Sequence, residues 1–168
     1  SPFAIFVFQI EKVVYANGTA EKITGFRRDE IVGGKFWDFA HPDYRDIVRV
    51  RELDRQRGKD IRPYECKIVT KGGEEKWLQI TGNRIIWEGM PAGIITAIDI
   101  TTIKIAEESL RESEKKFRTL AECSPLDIVV VQDGRIVYTN FEKALVTGYS
   151  REKMLSMDFL DIVHPDFR

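Results

Sequence analysis

A chain of 168 residues has room for one domain, or for one small domain and part of another. Its 43% hydrophobic and 32% charged content excludes a disordered chain, and a formal net charge of -1 gives no global attraction to nucleic acid or an anionic membrane. The longest apolar runs, such as residues 3–8, fall far short of the roughly 20 residues of a spanning helix, while Cys66 and Cys123 form no metal or redox spacing, so a reducing, cytoplasmic setting is expected.

Residues 3–8 form one continuous apolar run and 12–16 another, and the tight polar turn between them predicts a β-hairpin. Asn17 follows and can cap a helix over 19–24, which Gly25 closes. Short helical turns fit 28–32 and 36–39. The triplet His41-Pro42-Asp43 opens a longer helix: proline suits the first helical position, and an acid in the first turn meets the positive end of the helix dipole. Along it Ile47, Val50 and Leu53, with Val48 beside them, predict a buried stripe. Arg45, Arg49, Glu52, Arg55 and Gln56 are expected to face water.

From Arg62 onward the period changes to two. Tyr64, Cys66 and Ile68 alternate with Glu65 and Lys67 as in a half-buried strand. A turn at 71–74 leads to a strand over 77–87, interrupted at Gly82-Asn83, and Glu88-Gly89 turns into a last strand over 93–100. This order predicts an α+β fold, a five-stranded antiparallel sheet with helices on one face. Residues 101–122 contain neither Gly nor Pro. There Ile103, Ala106, Leu110, Ser113, Phe117 and Leu120 fall at alternating steps of three and four, one heptad seam flanked by charges. So short a seam must pack on a partner or on the sheet, and a parallel pair of these helices from two chains is the favoured reading.

Sliding the chain by 123 places residues 1–45 on 124–168 without a gap, and 17 of the 45 pairs are identical. They include Tyr15/Tyr138, Asn17/Asn140, Gly25/Gly148 and the whole His41-Pro42-Asp43/His164-Pro165-Asp166 triplet. A domain is therefore encoded twice, the second time in its first third, as expected for part of a longer array.

The segment from Asn17 to Gly25-Phe26, the His41-Pro42-Asp43 helix start, the Gly72-Gly73 to Trp77 hairpin and Asp99-Ile100-Thr101 at the end of the last strand together resemble a PAS domain. More specifically they look like the PAS-plus-PAC arrays of prokaryotic sensor histidine kinases. The resemblance divides the chain into a PAS domain with PAC-type strands over 1–102, an amphipathic linker (signalling) helix over 103–122, and a truncated second PAS copy over 123–168. It implies a non-catalytic sensory module that passes a ligand- or dimer-driven change through its exit helix to an output domain in the same chain. A histidine kinase of a two-component system is the expected output and a cyclic-dinucleotide enzyme the runner-up; that choice rests on family analogy. A ligand-free dimerisation or spacer module is the competing reading.

The hollow between sheet and helices is the usual ligand site of such a fold. Ile23, Phe36, Phe39, Ile47, Val50, Tyr64, Cys66, Leu78, Ile80, Thr81, Ile95 and Ala97 are the candidates to line it, with Tyr64 and Thr81 as orienting groups, though most serve equally well as plain core. Asp99 and Thr101 are the candidate relay residues between last strand and exit helix, because a carboxylate at a strand end can accept backbone N–H bonds from the following turn. Ile103, Ala106, Leu110, Phe117 and Leu120 are the linker seam. Which cofactor the hollow takes, if any, stays unknown. No cysteine lies between residues 19 and 58 for a cysteinyl-flavin, and His41 stands at a helix mouth rather than where a haem ligand is needed. A metal or catalytic role for His-Pro-Asp needs further His, Cys or carboxylate partners, so a helix start is the better reading. The arginines from 45 to 62 alternate with acids and lack an aromatic platform, which favours a solvated helix face over nucleic-acid binding. A homodimer through linker helix and sheet is expected, with no membrane contact. An enzyme would require a cluster of ionisable groups in the hollow, which the pattern does not offer.

Overall fold

The computed structural model describes residues 2–140 and 147–167. The chain falls into two units, 1–106 and 107–168. In the first, β1 (Ala4–Gln9) and β2 (Lys12–Ala16) form the expected hairpin, followed by α1 (Gly18–Thr24), α2 (Arg28–Ile31) and a 3-10 turn at Phe36–Phe39. A second 3-10 turn, Pro42–Tyr44, leads into α3 (Arg45–Gln56). Three strands then return, β3 (Tyr64–Val69), β4 (Glu75–Trp87) and β5 (Met90–Asp99). The sheet runs β2-β1-β5-β4-β3 and is antiparallel at every pairing. This is the α+β architecture expected from the change of period at residue 62.

The core lies between the helices and one sheet face. Phe6 and Phe8 of β1, Cys66 and Ile68 of β3, Leu78 and Ile80 of β4, and Ile95 and Ala97 of β5 meet Ala20, Ile31, Phe36 and Val48 from the helical side. Burying each large apolar side chain stabilises by about 1.5–3 kcal/mol, which is what fixes the register of a period-two strand. The Phe8 ring crosses the sheet where Gly93 pairs with it, and a Cβ on Gly93 would stand 2.2 Å from that ring. Glycine is required there by space. Similarly, a Cβ on Gly82 would lie 2.2 Å from the Ile94 carbonyl. That glycine does not interrupt the strand as expected: β4 is continuous from Glu75 to Trp87, and Gly82 marks a close backbone approach inside it.

Asn17 ties the hairpin to the helices. Its Oδ1 accepts from Ile5 N and Ala20 N, both 3.0 Å, and its Nδ2 donates to Phe3 O at 2.9 Å. It thus caps α1 and clamps β1 with one amide.

A long helix, α4 (Thr101–Glu122), leads from β5 into the second unit, which holds β6 (Val129–Gln132), β7 (Arg135–Thr139), α5 (Arg151–Leu155) and 3-10 turns at Phe159–Ile162 and Pro165–Phe167. Adding 123 to each β1–β2 partner reproduces the β6–β7 pairing, bulge included: Phe6↔Ala16 becomes Val129↔Thr139, and Gln9↔Lys12 becomes Gln132↔Arg135. Asn140 repeats Asn17, accepting from Ile128 N at 2.8 Å and donating to Leu126 O at 2.9 Å. The helix expected after Asn140 lies outside the described residues. In this unit Ile136 and Met154 form a small core with Val129 and Ile162 against it.

Replacing Gly93 by Ala should destabilise the first unit by about 1–3 kcal/mol through overpacking against Phe8. Urea unfolding of the Gly93→Ala variant measures this, and a combined Phe8→Leu change should recover part of the loss.

Candidate functional site

The hollow expected between sheet and helices is almost filled. A cavity of about 10 Å³ lies among Phe6, Thr24, Phe36, Phe39, Ala40, Val48, Cys66, Ile68, Leu78 and Ile80. That is the space of about one water molecule. Of the candidate lining residues, Phe36, Phe39, Cys66, Leu78 and Ile80 border it, while Ile23, Tyr64, Ile95 and Ala97 belong to the surrounding core. Three candidates lie elsewhere. Thr81 is on the sheet face away from the helices, its hydroxyl bonded to Thr96 at 2.7 Å, because it alternates with Ile80 and Gly82. Ile47 and Val50 are 45% and 59% exposed.

The reason is that α3 turns a different face inward. Val48, Glu52 and Arg55, at steps of four and three, are its buried residues, with Glu52 0% and Arg55 2% exposed. The arginine Nε donates to Glu52 Oε2 at 3.0 Å, and its other nitrogens reach Glu52 Oε1 at 3.4 Å and the Gly82 carbonyl. Tyr64 completes the set, its hydroxyl donating to Glu52 Oε1 at 2.8 Å. Arg51 lies over the Tyr64 ring, 4.3 Å from its centre. Buried charge is tolerated where each atom finds a partner, and here the helix, the edge strand β3 and its neighbour β4 supply them. Burial, reinforced by Glu52, pushes the Tyr64 phenol far above its ordinary value. The same two causes push the Cys66 thiol up to about 12. The expectation that Glu52 and Arg55 face water is therefore corrected. Glu52, Arg55 and Tyr64 form a buried ionisable group outside the lining of the cavity, and they satisfy one another. Glu52 and Arg55 continue the turn of Val48, but in the sequence the apolar recurrence of Ile47, Val50 and Leu53 outweighs that spacing.

Asp99 and Thr101 stand at the start of α4. Asp99 Oδ1 accepts from Thr101 N at 2.9 Å, the strand-end bond expected of it. Thr101 reaches sideways as well, its Oγ1 accepting from Trp77 N at 2.9 Å, while Ile100 N donates to Trp77 O at 2.9 Å. Lys104, one turn on, pairs with Glu65 of β3 at 2.6 Å and lies 5.7 Å from the Trp77 ring centre. The first turn of α4 is thereby fastened to three strands. Trp77, Lys104 and Glu65 were not assigned a role from the pattern, since nothing in the sequence links a strand side chain to a helix 27 positions further on.

Along the predicted seam, Ile103, Leu110, Phe117 and Leu120 are exposed, together with Ile105 outside it. Toward the C-terminal end of α4, Ala121 is buried, the Phe117 ring sits 5.5 Å from that of Tyr138, and Asn140 Nδ2 donates to Ala121 O at 2.8 Å. His41 Nδ1 accepts from Asp43 N at 3.3 Å, and its Nε2 lies 3.3 Å from Glu75. The triplet acts as a helix start, tied to the sheet by His41 N donating to Lys67 O at 2.9 Å. Among the described residues no group of three or more His, Cys, Asp or Glu side chains could hold a metal, and no helix is long and apolar enough to cross a membrane. The arginine-rich helix carries ion pairs, Arg49 with Glu11 and Arg57 with Asp54, apart from the buried Arg55.

A family model described as PAS domain matches residues 2–102. Among curated proteins, sporulation kinase A of Bacillus subtilis is 24% identical over 156 residues, covering 92% of this chain and 26% of the kinase. An uncharacterised protein of Sinorhizobium fredii is 27% identical over 170 residues, covering 92% of this chain and 19% of that protein. The chain thus spans about a quarter or less of the length of these relatives. Among solved structures, a PAS domain from Colwellia psychrerythraea superposes with a TM-score of 0.55 at 17% identity, over 61% of this chain and 89% of that one. A sensory box histidine kinase/response regulator from Burkholderia thailandensis gives 0.54 at 22% identity, over 70% of this chain and 92% of that one.

Two outcomes follow from the buried network. Arg55→Met should destabilise by about 3–5 kcal/mol because it strands Glu52, and adding Glu52→Leu should recover most of the loss; chemical denaturation of the single and double variants reads this. At pH 8 the raised pKa keeps Cys66 a protonated, buried thiol, so a thiol-specific reagent should modify Cys123 in the native chain and both cysteines after unfolding.

Proposed function

This chain belongs to the PAS domain family, and from that premise we propose that it is a sensory and signal-relay module of a longer signalling protein. In this reading the output is a protein histidine kinase, the segment itself performs no catalysis, and α4 carries the signal onward. The observation that carries the reading is the fastening of the first turn of α4 to β3, β4 and β5 through Asp99, Thr101, Trp77, Lys104 and Glu65. Any shift of the sheet must move that turn, because its backbone and side chains are bonded to strands rather than to solvent. The likeness to sporulation kinase A supports a kinase output; a cyclic-dinucleotide enzyme is the second choice.

What drives the shift is less a pocket ligand than a contact. A hollow of about 10 Å³ admits no metabolite without opening the core, so the input we favour is a change in packing between chains or domains. The exposed seam of α4 supports a parallel helix pair between two copies, with the sheet's outer face as the accompanying contact. The apolar residues exposed in the second unit, Leu126 and Leu160 among them, support the same need for a covering partner. Ligand sensing is the second reading, and mass spectrometry of the purified chain after denaturation separates the two: a stoichiometric small molecule would remove the contact-driven version.

In the full-length parent, Asp99→Ala and Thr101→Val should each change output at least about fivefold, the scale of a coupling near 1 kcal/mol. Autophosphorylation of the parent is the readout, with circular dichroism to show the domain still folded. Unchanged output from both folded variants rejects the relay.

A further inference from the structure

Helix α3 is folded inside out relative to its own sequence. Ile47, Val50 and Leu53 recur every three residues, yet Ile47 and Val50 are exposed while Glu52 and Arg55 are buried. At about 100° per residue the apolar stripe lies roughly opposite the buried face. Leu53 is half-buried against the edge of the core, whereas Ile47 and Val50 stand in solvent, and the stripe does not fade into polar surface. At its C-terminal end it runs into an open groove of about 510 Å³ whose walls include Leu53, Ile10, Val14, Met90 and Pro91.

Ile10 marks the groove as a maintained feature. It is 75% exposed with φ 56, a conformation that a β-branched residue resists. The Gln56 side chain of α3 holds it there, accepting from Ile10 N and donating to Ile10 O, both at 2.7 Å. At the matching turn 123 positions on, the same left-handed residue is Asp133 followed by Gly134, which adopt it readily. The first unit thus presents an apolar side chain where the turn alone favours a polar one.

We propose that this face is an interface between two copies of the chain, formed by antiparallel α3 helices about a two-fold axis. The charges select this occupant. Asp46 and Arg57 bracket the stripe, one at each end and both on its side of the helix, Arg57 being mostly exposed and 3.6 Å from Asp54 of its own chain. Antiparallel pairing centred between residues 51 and 52 sets Asp46 against the partner's Arg57, Val50 against the partner's Leu53, and brings Ile47 level with the partner's groove. A partner of one charge sign would meet a like charge at one end, whereas a second copy matches both ends at once.

Cysteine cross-linking tests it. In a Cys123→Ser background, Val50→Cys should form a disulfide dimer about tenfold faster than Ile86→Cys, an exposed position on β4. Asp46→Arg or Arg57→Asp should slow that cross-link about tenfold, and the two swaps together should restore it. A Leu110→Cys cross-link, which reports the α4 pair, should be indifferent to these charges, so the two contacts fail separately. Cross-linking at Val50 no faster than at Ile86 overturns the proposal, as does a double swap that leaves the rate at the level of the single swaps. A chain that captures a different protein at Val50 in preference to its own copy overturns it as well.

Discussion

An arginine and a glutamate three residues apart on one helix, both inside the protein, set the terms for the first unit. Arg55 and Glu52 leave water together, and each must find partners within reach or cost several kcal/mol. Tyr64 and the Gly82 carbonyl are those partners, so α3 has one rotation about its axis and one height over the sheet at which all are satisfied. The edge strand β3 is held by the same geometry, because the Tyr64 hydroxyl reaches Glu52 from it. Apolar packing around Phe6, Phe36 and Ile80 supplies more energy, but it tolerates sliding in a way that directed bonds do not.

This orientation has two consequences on opposite sides of α3. Inward, Val48 closes against Cys66, Leu78 and Ile80 and leaves little more than the volume of a water molecule, which turns attention from a bound ligand to mechanical input. Outward, Ile47 and Val50 of α3 are left facing solvent beside the strained Ile10 turn. A sequence that invests in burying charge while exposing Ile47 and Val50 is locally inconsistent, and such inconsistencies in natural proteins are expected where a surface has work beyond folding.

The other constraint is how α4 is held. Its start is bonded to the strands of the first unit through Trp77, Thr101 and Lys104, and its end is bonded within the second through Asn140. Asn17 and Asn140 perform the same task at equivalent positions. Each amide gathers the strand before it by accepting one N–H and donating to one carbonyl, and Asn140 also donates to the Ala121 carbonyl near the end of α4, which accepts from Ser124 N as well.

The order of elements, the antiparallel sheet, the hairpin that recurs 123 residues on and the Asp99 bond at the strand end were legible in the sequence because each rests on local chemistry. Alternation reads as a strand, an amide after a strand reads as a cap, and identity at a fixed offset reads as a second copy. The face that α3 buries was not legible. Periodicity ranks residues by the cost of exposing them, and by that measure Ile47 and Val50 outrank Glu52 and Arg55. The ranking reverses once Tyr64 and the Gly82 carbonyl are brought alongside from 12 and 27 positions away, since a charge that finds all its hydrogen bonds no longer carries the cost that the pattern assigns to it. Likewise, no local signal says how full the hollow is, because its volume is the small difference between a sheet's curvature and the side chains of six separate elements. The sequence alone determined what the elements are and where they stop. Tertiary structure alone decided which side of α3 meets the core, and with it whether this domain holds a cavity or a surface.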